Sequence, residues 1–114
     1  MSHDPESLLP LPQAVFHIML ALTGGERHGY AIMQEVAART EGKVRLGPGT
    51  LYGSIKRMVE QGLIQEDAGS SLDDERRRYY RLTPFGRRVA SAEAARVEAL
   101  FKQARSAGLI MKRA

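Results

Sequence analysis

At Leu63 the hydrophobic periodicity of this chain changes, and at Thr83 it changes back. Upstream, apolar residues recur every three or four positions, as one face of an α-helix requires. From Leu63 to Asp67, and again from Arg76 to Thr83, the runs are short and the second alternates in the manner of a strand. A stretch rich in Gly, Ser and Asp lies between them, so the pair reads as a hairpin. Thr83-Pro84 then supplies a cap and a first-turn residue for an alanine-rich helix that runs to about Arg105, ahead of Gly108. The order is helix, helix, helix, hairpin, helix, which places the chain in a mainly α class with a small β-hairpin.

The three upstream helices differ in character. Gln13 to Thr23 is apolar almost all round and ends at Gly24-Gly25, which predicts a buried central helix. Gly29 to Thr40 carries Tyr30, Ile32, Met33, Val36 and Ala37 on one stripe, with Gln34, Glu35 and Arg39 elsewhere. Pro48 to Gln61 opens on a proline and is closed by Gly62. At 100° per residue Leu51, Ile55, Met58 and Val59 share one side of it; Gly49, Thr50, Gly53, Lys56, Arg57 and Glu60 share the other, with Tyr52 on the boundary. Two glycines on an exposed helix face cost up to about 1 kcal/mol each against alanine. Close approach of another molecule is a reason to keep them. Met1 to Pro12, with three prolines and no usable period, reads as an arm whose Leu8, Leu9 and Leu11 give it something to dock with.

Three compact helices followed by a two-stranded hairpin make a winged helix-turn-helix, in which the third helix enters the major groove of DNA and the hairpin reaches along the backbone. The charge distribution agrees. Residues 1 to 47 carry four basic and five acidic side chains, residues 48 to 114 thirteen and eight, so the whole net charge of +4 arises from the second part. With 114 residues the chain is one domain's length, and zero cysteines leave stability to packing and suit a reducing, cytoplasmic setting. The longest apolar stretch, Ala14 to Leu22, is too short to cross a bilayer. There is no Walker loop, nucleophile elbow or metal-ligand cluster, which argues against an enzyme, a cofactor or a metal.

Three separated segments, "HGYAIMQEV" (28–36), "LGPGTLYGSIKRMVEQGLI" (46–64) and "RRRYYRLTPFGR" (76–87), resemble the signature segments of PadR transcriptional regulators in wording, order and spacing. The resemblance covers roughly residues 13 to 88 and looks like the branch with a single C-terminal dimerisation helix. It implies a winged-helix domain over 13–83, a dimerisation helix over 84–108, a tail over 109–114, and a homodimeric repressor of a promoter relieved by a small aromatic or hydrophobic effector. Thr50, Tyr52, Lys56 and Arg57 match the recognition-helix segment, and Arg76, Arg77 and Arg78 the basic wing strand. Gly47 stands where relatives usually have serine, which removes a side-chain cap from the third helix. Asp73, Asp74 and Glu75 in the hairpin loop would repel phosphate.

Plainer explanations stand beside these. The three arginines could pair with Asp73, Asp74 and Glu75 across a solvated hairpin. Tyr80, on the side of Leu82, is a core residue before it is a stacking platform. His17 reads as a packed histidine, and His28 as a starter of the second helix. In the last helix Val89, Val97, Leu100, Phe101 and Ala104 recur at three- and four-residue intervals, with small Ala90, Ala94 and Ala95 between them, as a helix that dimerises should. Two functions follow: sequence-specific binding of an inverted-repeat duplex by a dimer, or a winged-helix adaptor that docks a protein through its hairpin and last helix.

Overall fold

The computed structural model describes residues 4–68 and 78–111. Helix α1 (Gln13–Leu22) is followed by a two-residue strand β1 (Arg27–His28), α2 (Gly29–Arg39), α3 (Pro48–Glu60), β2 (Ile64–Ala68), β3 (Arg78–Leu82) and the long α4 (Pro84–Ser106). The architecture is mostly helical with a small antiparallel sheet, as the sequence indicates. That sheet has three strands rather than two, in the order β1-β3-β2. The added strand, Arg27 and His28 opposite Tyr80 and Tyr79, is too short to leave a period in the sequence. Across the hairpin Ile64 faces Leu82, Glu66 faces Tyr80 and Ala68 faces Arg78.

The core gathers one side of each element. Ile18, Met19 and Leu22 of α1, Ile32 and Val36 of α2, Leu51, Ile55 and Met58 of α3, Leu63 and Ile64, Tyr80 and Val89 are all buried. Two side chains assigned to core stripes face outward instead. Tyr30 is 60% exposed, and Val59 lies at the open edge of α3. Both sit at the margin of their stripes, where a single turn of helix carries the side chain past the neighbouring element.

The N-terminal segment is not a free arm. A 3₁₀ turn, Pro5–Leu8, is capped by the Asp4 carboxylate, Leu8 and Leu9 pack against the core, and Leu11 is buried in it. Its fastening is the Glu93 carboxylate of α4, which accepts the Leu11 N–H at 3.5 Å and is gripped by the Arg96 guanidinium at 2.7 and 2.8 Å. Val89, assigned to the dimer stripe on spacing alone, is fully buried within its own chain. It therefore belongs to the core, because the first turns of α4 lie across α1 and the sheet. Those turns are fixed closely. Thr83 caps α4 by accepting the Gly86 N–H at 2.9 Å and donates its hydroxyl to the Gly62 carbonyl at 2.6 Å. A Cβ at Gly86 would fall inside the Leu63 carbonyl.

Candidate nucleic-acid interface

Helix α3 is held by burial of Leu51, Ile55 and Met58, and this leaves Gly49, Thr50, Gly53, Lys56, Arg57 and Glu60 exposed on the other side, as their spacing predicts. A Cβ on Gly49 or Gly53 would meet nothing within 4 Å. Among the described residues neither glycine is therefore required by packing, and both leave the α3 backbone open to an approaching surface. Gly47 caps α3 without a side-chain hydrogen bond, as expected from the missing serine. Tyr52 is half exposed and lies over Gly29, the first residue of α2, where a Cβ would collide with its ring and hydroxyl. Glycine at 29 thus sets the position of a predicted site residue on another helix. Lys56 and Arg57 have no ion-pair or hydrogen-bond partner among the described residues.

The hairpin lies beside α3. Of the predicted wing arginines, Arg78 is exposed at the start of β3, while Arg76 and Arg77, with Asp73, Asp74 and Glu75, lie outside the described residues. Arg78 does pair with an acid, but with one that local spacing does not single out: Glu66 on β2, at 3.0 Å. Arg81 pairs likewise with Asp67 at 3.5 Å. The signal that could have found them is the antiparallel register, in which Glu66 and Arg78, and Asp67 and Arg81, fall on diagonals across the hairpin. Both pairs are solvent-exposed, so a phosphate can compete for the arginines at little cost. Tyr80 is buried, as expected. Burial first, then the charge of Glu66 and a hydrogen bond to it, push its phenol up to about 12, so it stays a neutral donor under the sheet. Tyr79 packs edge-on against His28, with ring centroids 5.7 Å apart. His28 Nδ1 accepts the Ala31 N–H at 3.2 Å and caps α2, the role its position suggests.

Between α3 and the hairpin lies an open hollow of about 220 Å³ lined by Tyr52, Ile55, Lys56, Val59, Glu60, Glu66 and Tyr80. Helix α3 and the hairpin thus border one concave surface, which Lys56 enters from α3 and Glu66 from β2. Among the described residues no cluster of His, Asp or Glu could hold a metal ion, and no helix is long and apolar enough to cross a membrane.

A surface of this shape, made of an outward helix face and a hairpin that carries Arg78 and Arg81, agrees with what comparison shows. The sequence profile of the transcriptional regulator PadR-like family matches residues 18–92. The chain belongs to the PadR-like family of transcriptional regulators. It is 31% identical over 87 residues to the transcriptional regulator Rv3488 of Mycobacterium tuberculosis, which is 76% of this chain and 78% of that protein. It is 33% identical over 66 residues to an uncharacterised protein of Lysinibacillus sphaericus and spans 61% of that protein's length. Among solved structures, a transcriptional regulator from Clostridium thermocellum superposes with a TM-score of 0.73 at 26% identity, covering 82% of this chain and 87% of that one. Bacillus subtilis PadR in complex with operator DNA superposes with a TM-score of 0.64 at 19% identity over 73% of this chain and 47% of that one, and shares the winged-helix fold. The PadR-like match runs from the second half of α1 into the first half of α4 and so includes α3 and the hairpin.

Proposed function

We propose that this PadR-like chain binds double-stranded DNA sequence-specifically as a homodimer in the cytoplasm and represses transcription from an inverted-repeat operator. The observation that carries the reading is the exposed face of α3: two glycines that no contact among the described residues requires, beside Lys56 and Arg57, which no described residue neutralises. Thr50, Lys56 and Arg57 reach base edges and adjacent phosphates, and Tyr52 donates to a phosphate. Arg76, Arg77 and Arg78 lie along the backbone beside the groove, Arg78 leaving Glu66 to do so. The complex of Bacillus subtilis PadR with operator DNA supports this by analogy of fold.

Dimerisation uses the exposed part of α4: Val97, Leu100, Phe101 and the half-buried Ala104. A small aromatic or hydrophobic effector would enter the hollow of about 250 Å³ between α1 and α4, which Phe16, Leu20, Leu82 and Ala94 help to line. A gel-shift titration against the chain's own upstream region tests the function. Site-specific, salt-sensitive binding is expected, because each phosphate contact releases counterions. Failure to bind at low salt would overturn the reading in favour of a protein-docking adaptor.

A further inference from the structure

The loop from α2 to α3 presents a cation on a rigid mount. The Thr40 hydroxyl donates to the Val36 carbonyl at 2.9 Å and accepts the Val44 N–H at 3.0 Å, which folds the loop back on the end of α2. Val44 and Leu46 pack against the core, so Arg45 between them faces outward. Gly42, at φ 79°, makes the turn and leaves room for the guanidinium: a Cβ there would stand 3.1 Å from Arg45 Nη2. Arg27 and Arg39 nearby share the Glu35 carboxylate, whereas Lys43 and Arg45 have no partner among the described residues.

Arg45 borders a hollow of about 330 Å³ lined also by Tyr30, Met33, Gln34, Ala37 and Leu46. Met33, Ala37 and Leu46 make a half-buried apolar floor; Tyr30, Gln34 and Arg45 stand exposed around it. Two of its lining residues neighbour α3 or its contacts: Leu46 precedes the cap residue Gly47, and Tyr30 adjoins Gly29, over which Tyr52 lies. A small-molecule site buries most of its ligand. With three exposed side chains as its rim this one does not, and a chain laid across it fits better. A guanidinium, a phenol and an amide over an apolar floor are suited to a phosphodiester and its sugar.

We propose that Tyr30, Gln34 and Arg45 form a second backbone clamp, which holds a DNA phosphodiester at the N-terminal end of α3 while the hairpin holds the strand along its other flank. The proposal rests on the DNA-binding reading of α3 and adds a phosphate-binding site to it. The test is the salt dependence of binding to a short random-sequence duplex, measured by fluorescence anisotropy for the parent, Arg45→Ala, Arg45→Lys and Gln34→Ala. Because Arg45 is exposed and has no partner among the described residues, the variants should melt like the parent. Arg45→Ala should bind more weakly and lower the logarithmic salt slope by about 0.9, the value for a single phosphate neutralised by one cation. Arg45→Lys should restore the slope without the full affinity, and Gln34→Ala should weaken binding with the slope unchanged. A slope for Arg45→Ala equal to the parent's, with the parent bound, overturns the clamp alone. A parent that binds no duplex overturns the clamp and the reading beneath it together.

Discussion

Lys56 and Arg57 stand on the same face of α3 as Gly49 and Gly53, and neither touches a carboxylate among the described residues. Replacing both by alanine therefore removes nothing that holds the fold, and thermal melts should superpose on those of the parent. Operator affinity should fall by about 1 to 3 kcal/mol for each side chain that no longer reaches its base, read by titration at fixed salt. Equal binding by parent and double variant would remove α3 from the role of reader. Glu93 is the opposite kind of residue: charged, buried and structural. The hydrogen-bonded Arg96 guanidinium, against the opposing effect of burial, and the Leu11 N–H hold its carboxyl below the ordinary range. A depressed carboxyl contributes stability above its unfolded value near 4.5, and that contribution is lost as pH falls through the lower folded value. Glu93→Gln should thus cost about 1.5 to 3 kcal/mol at neutral pH. The variant should also approach the parent's stability in acid denaturation, and a gap that stays constant down to strongly acid pH would show that Glu93 is not the titrating fastener.

At the scale of elements, α3 sets helix propensity against access. A Cβ at Gly49 or Gly53 enters open space, so Gly→Ala at both should stabilise the protein by up to about 1 kcal/mol per site, seen as a raised denaturation midpoint. The same two methyl groups would stand where the groove wall approaches, so DNA affinity should drop. A variant both more stable and equally tight would mean the glycines serve neither packing nor recognition. The order of the four helices and the hairpin, the outward face of α3 and the burial of Tyr80 were legible because each rests on a local period that survives packing, whereas the two-residue β1 has none. The pairings were not. Arg78 with Glu66, Tyr52 over Gly29 and Glu93 beneath Leu11 join residues from 12 to 82 positions apart or from different elements, and no local pattern encodes them. Val89 shows the same limit from the other side: spacing puts it on the Val97 stripe, but only the docking of α4 against α1 and the sheet decides that its turn is core.

For the whole molecule, the decisive feature is that α4 outruns the domain it starts in. Its first turns are spent on the core through Gly86, Val89 and Glu93, after which Val97, Leu100 and Phe101 emerge 42 to 49% exposed along the remaining turns. Arg105 lies over the Phe101 ring, 4.9 Å from its centroid, and covers only part of it. In the proposed dimer this stripe is buried against another copy; the N-terminal segment does not cover it, because Leu8, Leu9 and Leu11 are already packed against their own core. A twofold pair of α4 helices would place two α3 helices on successive major-groove turns, roughly 34 to 36 Å apart, which is why the operator should be an inverted repeat of that spacing. Sedimentation equilibrium at micromolar concentration should give the dimer mass for the parent and the monomer mass for Leu100→Glu combined with Phe101→Glu. Both positions are exposed within the chain, so the double variant should keep the parent's circular dichroism spectrum while losing most of its operator affinity, since each half-site is then bound alone. A monomeric parent that still binds an inverted repeat would place dimerisation on the DNA and not on α4.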